Sequence, residues 1–184
     1  MTNNTSKSVN LYAYGYGEAK TYVAAVLFVL GNIALPQLFH LVPKGGMIWL
    51  PIYFFTLVGA YKYGWRVGLL TAVASPLVNS AMFGMPMATA LPAILTKLVL
   101  LAVAAGFAAS HYRKVSLPLL IGVVAFYQLV GSLVEWAIIT GRGGALAPGT
   151  TALSAALQDL RIGLPGMALQ ILGGYAFIKY IIRK

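Results

Sequence analysis

Lys97 lies about ten residues into an apolar run from Met87 to Ser110, close to the middle of an expected membrane helix. A charge at mid-bilayer costs at least ~2.5 kcal/mol on insertion scales. A chain carries that cost when the charge faces a packed interior or a polar cavity. The helical neighbours of Lys97 are Ala90, Ala93, Ala104 and Ala108, a stripe of small residues. Such stripes are where membrane helices approach closely. Lys97 is therefore expected to point into a helix bundle. Its chemistry there is a charge-assisted hydrogen bond to a carboxylate or phosphate, or an ion pair with Glu135.

Three other polar seams repeat at helical spacing. Gly68, Ala72, Ser75 and Asn79 form one, and Gln128, Gly131, Ser132 and Glu135 the second. Asp159, Gly163, Gly166, Gln170 and Gly174 form the third. Each should face protein, not lipid. Lys97 and Arg161 suit an anionic ligand, whereas Glu135 and Asp159 suit an amine or ring nitrogen. Asn79 serves either as ligand contact or as interhelical glue, and Gln170 reads as packing. Trp49 and Trp136 are stacking platforms or headgroup anchors. His40 and Arg142 complete the candidate substrate-binding set, against a plain surface reading for each. No catalytic or metal site is expected: His40 and His111 fall on opposite membrane faces, and no nucleophile shares a depth with a base.

The elements that must hold these residues follow from composition. Of 184 residues, 60% are hydrophobic and 9% charged, and mean hydropathy is +0.83. That composition belongs to an integral membrane protein. A span needs ~20 apolar residues. Six are predicted, at 19–39, 47–63, 67–84, 87–110, 116–139 and 157–182, giving an all-α, six-helix bundle. Residues 1–18 are expected to be a polar tail with Tyr12, Tyr14 and Tyr16 at headgroup level, and residues 19–184 the membrane domain. No Gly-rich phosphate loop with its Lys-Ser/Thr occurs, and with no cysteine there is no disulfide framework.

The net charge of +10 is sorted by face. With the N-terminus inside, one face carries Lys7, Lys20, Lys62, Arg66, Arg113, Lys114, Lys179, Arg183 and Lys184, and the other Lys44 and Arg142. This positive-inside pattern places both termini in the cytoplasm and disfavours nucleic acid as a partner. Polar residues then concentrate in the outer half, as in a pocket that opens outward. A channel would need polar lining throughout.

Pro76, Pro92 and Pro165 each remove a backbone hydrogen bond. Pro165 is expected to leave Asp159–Gly163 non-helical, so that Asp159 and Arg161 both turn inward. The Gly-rich outer connections, residues 36–50 and 140–151, read as lids.

The stretch from His40 to Phe55 (HLVPKGGMIWLPIYFF) and the stretch from Leu57 to Asn79 carry a family resemblance, joined by Gly84-Met-Pro and by Arg161-Ile-Gly-Leu-Pro-Gly-Met. These patterns resemble the substrate-binding S components of bacterial energy-coupling factor (ECF) transporters, in particular a Bacteroidetes-type branch. The resemblance implies six helices in the bacterial cytoplasmic membrane and a ligand site near the outer face, enclosed by the first outer loop and the C-terminal helices. It implies a vitamin-like micronutrient as substrate, no cofactor, and a coupling subunit with two cytoplasmic ATPases as partners. The family's docking pattern of spaced alanines is incomplete at Ala24 and Ala25, and the series Ala60, Gly64, Gly68 and Ala72 is the expected substitute. The metal-binding N-terminal His of some relatives is missing. A membrane enzyme on a lipid-soluble substrate, or a structural membrane subunit, are the other classes compatible with this composition.

Overall fold

The computed structural model describes residues 11–142 and 150–182, without the side chains of Arg142 and Asp159. Among the described residues there is no strand. Helix α1 (Ala19–Phe39) leads through a tight turn to α2 (Gly45–Trp49). A single 3-10 turn at Pro51–Tyr53 opens α3 (Phe54–Tyr63). Then come α4 (Trp65–Phe83), α5 (Leu91–Tyr112) and α6 (Leu117–Arg142). Short helices α7 (Ala152–Ala156) and α8 (Gln158–Ile162) precede α9 (Leu164–Ala168). Helical backbone continues beyond α9 through a π-helical segment at Leu169–Gly173, α10 (Gly174–Ala176) and a second π segment at Phe177–Ile181.

Helices α1, α4, α5 and α6 are long and apolar enough to cross a membrane, so the chain is an all-helical, multi-pass membrane bundle. These helices are apolar on both faces. On them Phe28, Val67, Leu98, Leu101 and Leu120 are buried, while Val23, Val26, Leu27, Val73, Phe107, Leu129 and Leu133 remain exposed. An outward apolar face suits lipid, where every backbone polar group must be met inside the helix.

The bundle has two distinct ends. At one, the Tyr61 hydroxyl donates to the Lys114 carbonyl (2.7 Å), and the Gly106 backbone lies against Trp65. Residues 11–17 cross this same end. Tyr12 N–H donates to the Lys62 carbonyl (2.8 Å) and Tyr14 N–H to the Tyr63 carbonyl (3.1 Å). The Tyr12 and Tyr63 rings stack, and Arg66 lies over Tyr16 and Trp65. Tyr12 and Tyr14 thus form a strap bound to α3 across this end of the bundle. Lys62, expected at the basic surface, is buried, with its ammonium 5.0 Å from the Tyr12 ring centroid. We refer to this as the basic end.

Close helix contacts use small residues. A methyl on Gly68 would meet Ala60 Cβ at 2.4 Å and Ala102 Cβ at 3.1 Å. Ala60, Gly64, Gly68 and Ala72 are all buried inside the chain, so this series is an internal packing seam and not an outward docking face. Ala25 is buried and Ala24 half-buried on α1. Gly64, at φ 103°, makes the sharp reversal between α3 and α4 in a conformation that favours glycine.

Several boundaries differ from the sequence reading. Pro92 and Pro165 sit in the first turns of α5 and α9, where a missing N–H costs nothing. Asp159–Ile162 is helical, with the break falling at Gly163. The first lid is mostly helix, and the expected second span is divided at Leu50, in the left-handed region at φ 47°. In the second lid, α6 runs on to Arg142, and residues 143–149 lie outside the described residues.

Candidate functional site

Lys97 Nζ and Glu135 Oε2 lie 2.6 Å apart, joining α5 to α6. Lys97 is 2% exposed and Glu135 22%. Because α5 begins at Leu91, Lys97 stands in its second turn and not at its middle. Glu135 stands about two turns before the end of α6. The pair therefore sits toward the end of the bundle opposite the basic end. Gly131 makes room for it: a Cβ there would lie 2.4 Å from Lys97 Cγ. The lysine stem crosses α6 where that helix has no side chain.

The α6 seam carries further polar atoms. Gln128 is fully buried, and both its Nε2 and Oε1 lack a hydrogen-bond partner among the described residues. Ser132, 4% exposed, leaves its hydroxyl likewise unpartnered. Gln128, Ser132 and Glu135 follow at helical spacing, one turn apart, on the face where Gly131 meets Lys97. Also from α6, the Tyr127 hydroxyl donates to Gln170 Oε1 (2.8 Å) in the C-terminal π segment, while Gln170 Nε2 is unpartnered among the described residues. The Tyr127 ring stacks on Tyr53 at 5.3 Å. Each buried unmet polar group costs ~1–3 kcal/mol. The seam shows in the sequence as a period, but nothing there shows that its amide and hydroxyl would be left unmet.

The other candidates are distributed differently. Asn79 Nδ2 donates to the carbonyls of Asn32 and Ser75, both at 3.0 Å. Pro36, inside α1, has no N–H for the Asn32 carbonyl, and Asn79 takes its place. Asn32 Nδ2 in turn donates to Thr56 Oγ1 (3.0 Å) and Ser75 Oγ (3.2 Å). Asn79 thus belongs to a network tying α1, α3 and α4, and its hydrogen bonds do not go to the Lys97–Glu135 pair. Trp49 stacks on Phe39 at 5.5 Å, and His40 is exposed beside Gly46. Trp136 and Arg161 are exposed. The side chains of Arg142 and Asp159 lie outside the described residues.

One expected juxtaposition is present. Segment 45–50 packs against the C-terminal helices: Gly166 abuts the Trp49 carbonyl, and Gln158 Nε2 lies 3.0 Å from Met47 Sδ. Two open apolar grooves, of about 560 and 450 Å³, lie on outward surfaces and include none of the Lys97, Gln128, Ser132 or Glu135 side chains. The unmet polar atoms mark the site better than these grooves do, because lipid tails fill an apolar groove without specificity. Among the described residues, no three His, Cys, Asp or Glu side chains gather to hold a metal ion.

No family model, no curated protein and no solved structure matches the chain.

Proposed function

We propose that this chain is the substrate-capturing membrane subunit of an ATP-driven importer of the ECF type. It crosses the bacterial cytoplasmic membrane six times, with both termini in the cytoplasm. It binds a small polar micronutrient at the outer end of the bundle and hands it on through a coupling subunit driven by two ATPases. The observation that carries this reading is the α6 face, where the buried Lys97 and half-buried Glu135 pair beside a buried amide and hydroxyl with unmet hydrogen bonds. A purely structural seam gains nothing from such groups; a binding seam does, since a ligand supplies the missing partners.

Two further features favour capture over conduction. Toward the basic end α5 and α6 bury Leu101, Ala102, Ala105, Leu120, Val123 and Val124, all apolar. A polar solute held at Gln128 finds no polar lining among these residues. The packing of segment 45–50 on the C-terminal helices encloses the same end of the bundle, in keeping with the sequence resemblance.

The test is transport in proteoliposomes. The chain alone should retain a small molecule, identified by mass spectrometry of the purified protein, yet fail to concentrate it. Accumulation should require a coupling subunit and ATP hydrolysis. Concentrative uptake by the chain alone, or chemical turnover of the retained compound, would overturn the assignment.

A further inference from the structure

We infer that the buried face of α6 recognises its ligand through an amide-like edge, a hydrogen-bond donor and acceptor side by side in one plane. Lactams, cyclic ureas and pyrimidinediones present such an edge. The inference rests on the capture reading above and narrows the substrate class.

The argument begins with Gln128. A carboxamide offers two donors on nitrogen and an acceptor oxygen. In Gln128 both ends are unpartnered among the described residues, and the residue has no solvent exposure. A carboxylate or phosphate would use the nitrogen and leave Oε1 facing an anion. An ammonium would use Oε1 and leave the nitrogen unmet. A group with donor and acceptor adjacent satisfies both at once, in a cyclic pair of hydrogen bonds. One turn along, the Ser132 hydroxyl is unmet too, and it gives or accepts as needed. On the neighbouring helix Gln170 adds a donor, Nε2, while its carbonyl oxygen is occupied by Tyr127. The unmet groups are thus uncharged and of mixed sense. With Gln128 and Ser132 closed off from solvent, a ligand reaches them only when the surrounding helices part, and it is then held in a dry site. Neutral hydrogen bonds discriminate strongly there, because a ligand that fails to make them leaves buried groups unpaired.

The experiment uses the full chain in detergent with two small probes, 2-imidazolidinone and uracil, each beside its N,N′-dimethyl form. Methylation removes the N–H donors and keeps the ring. Thermal unfolding should shift upward with the N–H probes at millimolar concentration and not with the methylated ones. Equilibrium dialysis should show Gln128→Leu weakening the N–H probes about ten- to a hundredfold, the equivalent of two lost hydrogen bonds. Ser132→Ala should weaken them less. Without probe, Gln128→Leu should be at least as thermostable as the parent, since it removes an unmet amide. Equal response to both probe forms, no response to either, unchanged probe affinity in Gln128→Leu, or a less stable ligand-free variant would each overturn the inference. The probe comparison uses the parent chain and so tests the inference separately from the variant. If the probes fail while the purified chain still carries a small molecule of another class, this inference falls and the capture reading stands. If the chain binds neither probe nor any co-purified compound, both fall.

Discussion

At the scale of single residues, Lys97 and Asn79 separate two uses of buried polarity. Lys97 and Glu135 form an ion pair 2.6 Å long at the edge of an unmet polar cluster. Removing one partner of a buried pair leaves an orphaned charge and costs ~3–5 kcal/mol, whereas replacing both is often neutral. Lys97→Met should therefore lower thermal stability strongly, and Lys97→Met with Glu135→Gln should recover most of it. If the pair touches ligand, the stable double mutant should still bind about ten- to a hundredfold more weakly, the equivalent of ~1.5–3 kcal/mol. Wild-type affinity in that double mutant would reduce the pair to a structural role. Asn79 should behave in the opposite way. Its amide fills the carbonyl that Pro36 leaves open on Asn32. Asn79→Leu should cost ~1–2 kcal/mol of stability, in the range of buried interhelical hydrogen bonds, with ligand affinity unchanged. A loss of affinity without a loss of stability would return Asn79 to the binding set.

At the scale of helices, small residues decide which faces touch. Gly106 in α5 has the Trp65 backbone in the space a side chain would need, with Trp65 Cβ, Cα and N at 2.4, 2.7 and 2.8 Å from an added methyl. Backbone cannot rotate away, so Gly106→Ala should cost ~1–3 kcal/mol by forcing α4 and α5 apart. Gly122 in α6 has nothing within 4 Å and serves as the control. Gly122→Ala should be neutral or stabilise by up to ~1 kcal/mol, through helix propensity alone. Thermal unfolding of the two variants in the same detergent checks both, and equal losses would contradict the packing described. The same scale shows what was legible in the sequence. The α6 seam could be read because Gln128, Gly131, Ser132 and Glu135 repeat at one helical period, and period survives into structure. Lys97 was readable as inward-facing but not at its right depth, because the run from Met87 is apolar well before the helix starts at Leu91. Proline at a helix start and proline within a helix look alike in sequence, so the effects of Pro92 and Pro165 were not readable. The hydrogen bond from Asn79 to α1 was not readable either. It joins residues 47 apart and depends on a carbonyl freed by Pro36.

At the scale of the whole molecule, the charge pattern and the two ends of the bundle bear on orientation. Lys20, Lys62, Arg66, Arg113 and Lys114 lie at helix ends that meet at the basic end, near the strap of residues 11–17. Lys44 precedes α2 and Arg142 ends α6 at the opposite end. The proposed orientation, drawn from the positive-inside rule, has the basic end in the cytoplasm. That orientation turns the Lys97–Glu135–Gln128 face outward, as capture from outside the cell requires. Since the chain has no cysteine of its own, single cysteines report position without background. Burial governs their choice: position 62 is enclosed and would resist any reagent, whereas Lys20, Lys44, Arg113 and Thr151 are exposed. A membrane-impermeant maleimide applied to intact cells should label cysteines at 44 and 151 and spare those at 20 and 113. Permeabilised cells should label all four, which separates sidedness from local protection. Labelling of 20 and 113 alone in intact cells would invert the molecule. The polar face would then open to the cytoplasm, and an importer that captures its solute outside would no longer fit this chain.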